Sequence, residues 1–241
     1  MNNKIKITYV PMGDQILVLQ FEDVLSIDNN QMVQSCASMI RQENINGVSS
    51  VITTMASIAV KYDSLIIQFN PLKKMLQKLL LVHKEQAKIE NKTITVPVVF
   101  NERFGLDLEE VSQTKDISKD DIINMITAKK YYVYMVGFIH GVPYMGNVDK
   151  RLELLRKSNP RLKVPKGSIG IANDMTNIYT LESPGGWHII GWTPMEVFDV
   201  KKNPPNLLSA GDYVRYENIS EEVAENWDKI KQKEWDQQWN T

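Results

Sequence analysis

The chain has 241 residues, enough for one or two domains that each bury a core, and its 43% apolar and 24% charged residues are those of an ordinary globular protein rather than a disordered one. Lys plus Arg (28) nearly balance Asp plus Glu (29), so no global excess of positive charge exists to collect nucleic acid or an anionic membrane. The chain shows no apolar run of the roughly 18 residues that span a bilayer, its start alternates charge, and Cys36 is the single cysteine; the expectation is a cytoplasmic protein with no disulfide framework, no cysteine-ligated metal and no other metal ligand set.

The first third reads as a small α+β unit. Residues 4–10 alternate polar and apolar like a half-buried strand, and Pro11-Met12-Gly13-Asp14 turns the chain into a second apolar run, Ile16 to Phe21. From Ser26, a suitable N-cap, Met32, Val33, Cys36, Met39 and Ile40 recur at helical spacing. Cys36 sits on that buried stripe as a small core residue. Two β-rich runs follow, 48–53 and 57–62, and Asn70-Pro71 opens a second helix whose apolar face is Leu72, Met75, Leu76, Leu79 and Leu80. Residues 65–69 stay open between strand and packed connection. Strand, strand, helix, strand, strand, helix is the order a helix-covered antiparallel sheet needs.

Residues 84–92 are mostly polar and charged, which makes them the linker and sets the domains at 1–88 and 93–218, with a helical tail over 219–241. The second domain opens with a strand from Thr93 to Phe100. A helix pair follows over 106–114 and 122–128, with Ser118 as N-cap and an acidic residue at the third helical position. From Tyr131 the texture changes to short β runs broken by glycine and proline, at 131–138, 168–172, 178–181, 187–192, 197–200 and 212–216, which suggests a closed or sandwiched β structure. In the tail, Val223, Trp227 and Ile230 give an apolar stripe. Trp235 and Trp239 lie beyond it, either folded back on the barrel or free to anchor a partner.

Two stretches, 137–146 and 182–187, carry so much glycine and proline that neither reads as a regular element. Facing each other they would frame a pocket walled by Tyr144 and Trp187; as bare barrel corners they would hold nothing. His83, His140 and His188 are isolated, and no His-Glu-x-x-His, Gly-x-Ser-x-Gly or phosphate-loop pattern occurs. Ser183 has no adjacent base, while Glu182 and Asp199 have the chemistry of an acid or base without a partner to define it.

Beyond that point the motifs themselves speak. Phe138-Ile139-His140-Gly141-Val142-Pro143-Tyr144-Met145-Gly146, the run from Pro160 to Ala172, Glu182-Ser183-Pro184-Gly185-Gly186-Trp187 and Gly191-Trp192-Thr193-Pro194 resemble, in order and spacing, the family of 5-oxoprolinase B subunits. That family is also called allophanate hydrolase subunit 1 and includes the kinase inhibitor KipI. The resemblance covers residues 10–216. It implies an α+β N-terminal domain followed by a cyclophilin-like β-barrel domain, and a role in ATP-dependent cleavage of 5-oxoproline to glutamate together with subunits C and A. The KipI branch implies instead an inhibitor of a sensor histidine kinase. Carried over position by position, the resemblance implies Glu182 and Arg161 as catalytic residues, with Phe138, His140, Gly141, Pro143, Tyr144, Ser168, Met175, Pro184, Gly186, Trp187 and Trp192 around the substrate. The chain departs from the family where His140 stands for proline, Val142 for phenylalanine, Asn173 and Asn177 for glycine, Met175 for glutamine, Trp192 for arginine and Thr127 for histidine. Trp and Met cannot reproduce the directional hydrogen bonds of arginine and glutamine, so the departures imply either a pocket of altered specificity or a catalytically degenerate paralogue that keeps fold and pairing.

Overall fold

In the computed structural model, which describes residues 7–82 and 91–240, the chain divides into two units, Met1–Glu90 and Asn91–Thr241. His83, residues 4–6 of the expected first strand and 84–90 of the expected linker lie outside the described residues. No helix among the described residues is long and apolar enough to cross a membrane.

In the first unit, β1 (Thr8–Met12) and β2 (Ile16–Gln20) form a hairpin whose turn places Gly13 at φ 64°, a conformation that suits a residue without Cβ. Then come α1 (Ile27–Gln42), β3 (Val48–Thr53), β4 (Ser57–Tyr62) and α2 (Phe69–Val82). The strands form one antiparallel sheet in the order β1-β2-β4-β3. Its buried side chains, Leu17, Leu19, Ile58, Val60 and Tyr62, cluster with Val33, Cys36 and Ile40 of α1 and Leu72 and Leu76 of α2. Ser26 caps α1, its Oγ accepting from Asn29 N at 3.2 Å. Cys36 is core, and burial pushes its thiol up to about 11. Residues 63–67 form a turn in which Ile66 and Ile67 N–H groups donate to the Asp63 carbonyl. The helix after it starts at Phe69, ahead of the expected opening at Asn70; Pro71 is tolerated because the first N–H groups of a helix have no intrahelical acceptor.

The second unit contains β5 (Thr93–Val98), α3 (Leu108–Lys115), α4 (Lys119–Thr127), β6 (Lys130–Val136), β7 (Pro143–Gly146), β8 (Arg161–Val164), β9 (Ser168–Ala172), β10 (Met175–Ile178), β11 (Ser183–Gly185), β12 (His188–Trp192), β13 (Tyr213–Asn218), α5 (Glu221–Glu225) and α6 (Lys229–Trp239). Seven strands run in the order β12-β9-β10-β7-β6-β13-β5, with β13 and β5 parallel and the other pairs antiparallel. Val99 and Trp192 exchange two backbone hydrogen bonds, 2.8 and 3.0 Å, and so bring the two ends of this sheet together into a nearly closed barrel. Its interior holds Val96, Val98, Tyr131, Val133, Met145, Ile169, Ile171, Ile178, Ile190, Val214 and Tyr216, sealed further by Leu108 and Val111 of α3 and Ile122 and Ile126 of α4. Ser118 caps α4 as expected, its Oγ accepting from Asp121 N at 3.1 Å. Strands β8 and β11 pair as a separate two-stranded ribbon.

Several expectations need correction. The two glycine- and proline-rich stretches are not wholly irregular, since each contains a strand, β7 and β11. Pro143 fits because it is the first residue of its strand. The strand expected at 178–181 lies at 175–178. Thr176 and Asn177 hid it, although Thr176 faces inward and pairs with the Tyr216 hydroxyl at 3.1 Å. Residues 197–200 contribute only one bridge, Phe198 to Asn206.

The tail is broken into two helices, which leaves Ile230 69% exposed and interrupts the expected stripe. From the break onward, Trp227, Trp235 and Trp239 pack in series with ring centroids 5.7 and 5.5 Å apart. Trp235 is buried and donates its Nε1–H to the Thr95 carbonyl at 2.8 Å, while Thr95 N donates to Asn240 Oδ1 at 2.6 Å. The distal tryptophans therefore fold back on their own barrel and satisfy the edge of β5, where Pro97 has no N–H to offer.

Candidate functional site

The loop leading into α3 buries a carboxylate. Asp107 is 1% exposed and takes both arms of the Arg161 guanidinium, each at 2.7 Å, the Lys157 ammonium at 2.9 Å and the Ile189 backbone N–H at 2.7 Å. Burial alone would raise its pKa, but the donors from Arg161, Ile189 and Lys157 outweigh it and hold the carboxyl below the usual range. Lys157 also reaches Glu110 at 2.5 Å. His188 is buried and shares a hydrogen bond with the Leu155 carbonyl through Nε2 at 3.0 Å. Asp107, Glu110 and His188 bring ligand atoms within 4.8 Å of one another, the spacing of a metal group. Lys157 already supplies the cation between the two carboxylates.

These bonds strap residues 155–164 across the outside of the barrel, and Lys157 N adds a hydrogen bond to the Gly186 carbonyl at 2.8 Å. Alongside the strap lies an aromatic face. Tyr144 of β7 stands opposite Asn177 of β10, and Asn177 stands opposite Gly170 of β9. A Cβ on Gly170 would lie 2.6 Å from Asn177 Oδ1, 3.1 Å from Trp187 Cβ and 3.2 Å from the Tyr179 ring, so only glycine lets these three side chains converge. Tyr144 and Trp187 meet edge to face, centroids 5.7 Å apart at 78°. The Arg156 guanidinium lies 5.7 Å over the Trp187 ring. Burial pushes the Tyr144 phenol up, and the nearby Arg156 charge pulls it part of the way back. Burial raises the Tyr179 phenol too, against the opposing pull of the neighbouring Asn177 side chain and Trp187 backbone.

The residues expected around a substrate divide accordingly. Tyr144 and Trp187 come together, and Gly186 lies on the strap's hydrogen-bonding path. Arg161 cannot present its planar fork to a ligand, because Asp107 holds both arms. Glu182 is an exposed surface carboxylate, 3.3 Å from the equally exposed Lys163, with nothing to orient it as a base. Phe138 is 72% exposed at φ 68°, His140 stacks on Phe198 at 6.0 Å, and Gly141 at φ 80° lies against the same ring. Pro143, Ser168 and Met175 are buried strand residues, and Pro184 is an exposed one. Trp192 fastens the barrel: it stacks on Phe104 at 4.8 Å and donates Nε1–H to the Lys166 carbonyl at 2.8 Å.

Sequence reasoning missed Asp107, Lys157, Arg156, Tyr179 and the use of Asn177. The signal available was the density of basic residues in 156–163, too many for so short a stretch without a counter-charge.

A family model described as carboxyltransferase domain, subdomain C and D, matches residues 7–208. The 5-oxoprolinase B subunit of Bacillus subtilis is 34% identical over 220 residues, covering 87% of this chain and 92% of that one. The 5-oxoprolinase B subunit of Haemophilus influenzae is 32% identical over 207 residues, covering 86% and 95%. The crystal structure of TTHA0988 superposes with a TM-score of 0.77 at 27% identity, covering 86% of this chain but only 40% of that longer one.

Proposed function

The chain belongs to the carboxyltransferase subdomain C and D family, and we propose that it works as the B subunit of a 5-oxoprolinase-like complex. The reading is carried by the full-length likeness to B subunits, which extends over 92% of the B. subtilis protein. In the reaction, water adds across the lactam C–N bond of 5-oxoproline and releases glutamate, driven by ATP within a complex that includes subunits C and A. The aromatic face of Tyr144 and Trp187 is the natural wall for a small five-membered ring.

Nothing on that face is a poised base. Asp107 is locked by three donors, and Glu182 is a solvated surface group. Turnover therefore requires groups from a partner subunit, in keeping with a protein that is inactive alone. Nor do the described residues suit a nucleotide and its metal: the one group with metal spacing among them is filled by the Lys157 ammonium.

Co-expression with the C and A subunits, followed by an assay of ATP-dependent glutamate release, tests this reading. Activity that needs all three subunits and falls in Trp187→Ala supports it. A stable complex with no glutamate release refutes the substrate, and capture of a sensor histidine kinase in place of the subunits would mean a regulatory role instead.

A further inference from the structure

Four basic side chains lie on the strap between Leu155 and Val164, and three of them have carboxylate partners. Arg161 gives both arms to Asp107, Lys157 bridges Asp107 and Glu110, and Lys163 pairs with Glu182. Arg156 alone of the four has no carboxylate among the described residues; it is exposed, and its one described contact is the face of Trp187.

The groups beside it are short of acceptors as well. Tyr144 is half-buried, and its hydroxyl hydrogen-bonds none of the described residues. Asn177, only 3% exposed, has a side-chain Oδ1 with no partner. An exposed arginine fork beside the half-buried Tyr144 phenol, with the neighbouring cations already neutralised, is complementary to a small planar anion.

We propose that Arg156, stacked over Trp187 beside Tyr144, reads the carboxylate of the ligand and sets the site's preference for a small carboxylic acid over its neutral analogue. The inference rests on the reading of this aromatic face as the substrate site. It assigns to Arg156 the role that Arg161 cannot take, and it gives the position over the indole a purpose: the ring face holds the guanidinium near Tyr144 without neutralising its charge. Arg156 is exposed, so its replacement leaves the fold intact and isolates the binding effect.

The test is calorimetric titration of the purified chain, and of the chain in complex with its partner subunits, with three probes. These are 5-oxoproline, its neutral carboxamide, and cyclopentanecarboxylate, which keeps the anion and ring but lacks the lactam. In Arg156→Gln, binding of the two acids should weaken by roughly tenfold or more, with Arg156→Lys intermediate because a point charge replaces a fork. The carboxamide should bind wild type and Arg156→Gln alike. Equal binding of 5-oxoproline by wild type and Arg156→Gln, or of acid and carboxamide by wild type, overturns the proposal. If cyclopentanecarboxylate binds in an Arg156-dependent way while 5-oxoproline is neither bound nor cleaved, the anion site stands and the oxoprolinase reading falls. If 5-oxoproline is cleaved with no dependence on Arg156, that reading stands and this proposal falls. No binding of either acid to chain or complex overturns both.

Discussion

Asp107 and Arg156 belong to the same barrel unit, yet their surroundings treat charge in opposite ways. Around Asp107 every strong donor has found an acceptor: Arg161, Lys157 and the Ile189 N–H converge on one buried carboxylate. Around Arg156 the donors outnumber the acceptors, and the arginine rests on an indole instead of a carboxylate. A saturated ionic cluster has no capacity left for a ligand and serves to hold backbone segments together. An unsaturated one, an exposed arginine beside the half-buried Tyr144, has that capacity. The difference separates scaffold from site more sharply than residue type does, since both clusters contain an arginine.

If the comparison is right, the largest loss of stability comes from the saturated side. Asp107→Ala strands two cations and a buried N–H at once, and urea unfolding should show a loss of about 3–5 kcal/mol. A loss under about 1 kcal/mol would break the scaffold assignment. The same cluster fixes a pH dependence. The folded pKa of Asp107 is depressed below its unfolded value, so its stabilisation is fully present above the unfolded value near about 3.9 and fades as pH falls through the folded one. In Asp107→Asn that part of the acid sensitivity should vanish from a stability–pH profile.

Next in size is the tail. Trp235→Ala removes a buried indole and the hydrogen bond to Thr95, at a cost of about 3 kcal/mol in thermal or urea melts. It also bares the β5 edge, so gel filtration should reveal concentration-dependent association. Smaller again is Trp192→Arg, which exchanges a stack on Phe104 and a hydrogen bond to Lys166 for a solvated charge; about 1–2 kcal/mol should be lost, with no gain in glutamate release from the reconstituted complex. Smallest is Glu182→Gln. Its pair with Lys163 is exposed on both sides, so stability should stay within about 0.5 kcal/mol and turnover should be unchanged.

Much of this architecture could be read from sequence because its causes are local. Ser26 and Ser118 announce their helices as caps, and the period of Val33, Cys36 and Ile40 defines a buried face without knowledge of its partner. The family motifs likewise located Tyr144 and Trp187, which do meet. What escaped depends on long-range pairing. Arg161 looks like a catalytic residue until a carboxylate 54 residues away claims both its arms. Arg156 looks like an ordinary surface charge until its three basic neighbours are found already paired. Trp235 leaves fold-back and partner anchoring both open in the sequence because the carbonyl it bonds is 140 residues distant.

The most direct test of the contrast sets the two arginines side by side. Urea unfolding of Arg161→Gln and Arg156→Gln compares a fork bound to a buried carboxylate with one resting on an aromatic ring. The account predicts a loss of about 2 kcal/mol for Arg161→Gln, moderated by the donors Asp107 keeps, and a change within about 0.5 kcal/mol for Arg156→Gln. Equal losses in the two variants, or a larger loss for Arg156→Gln, would contradict the division into scaffold and site.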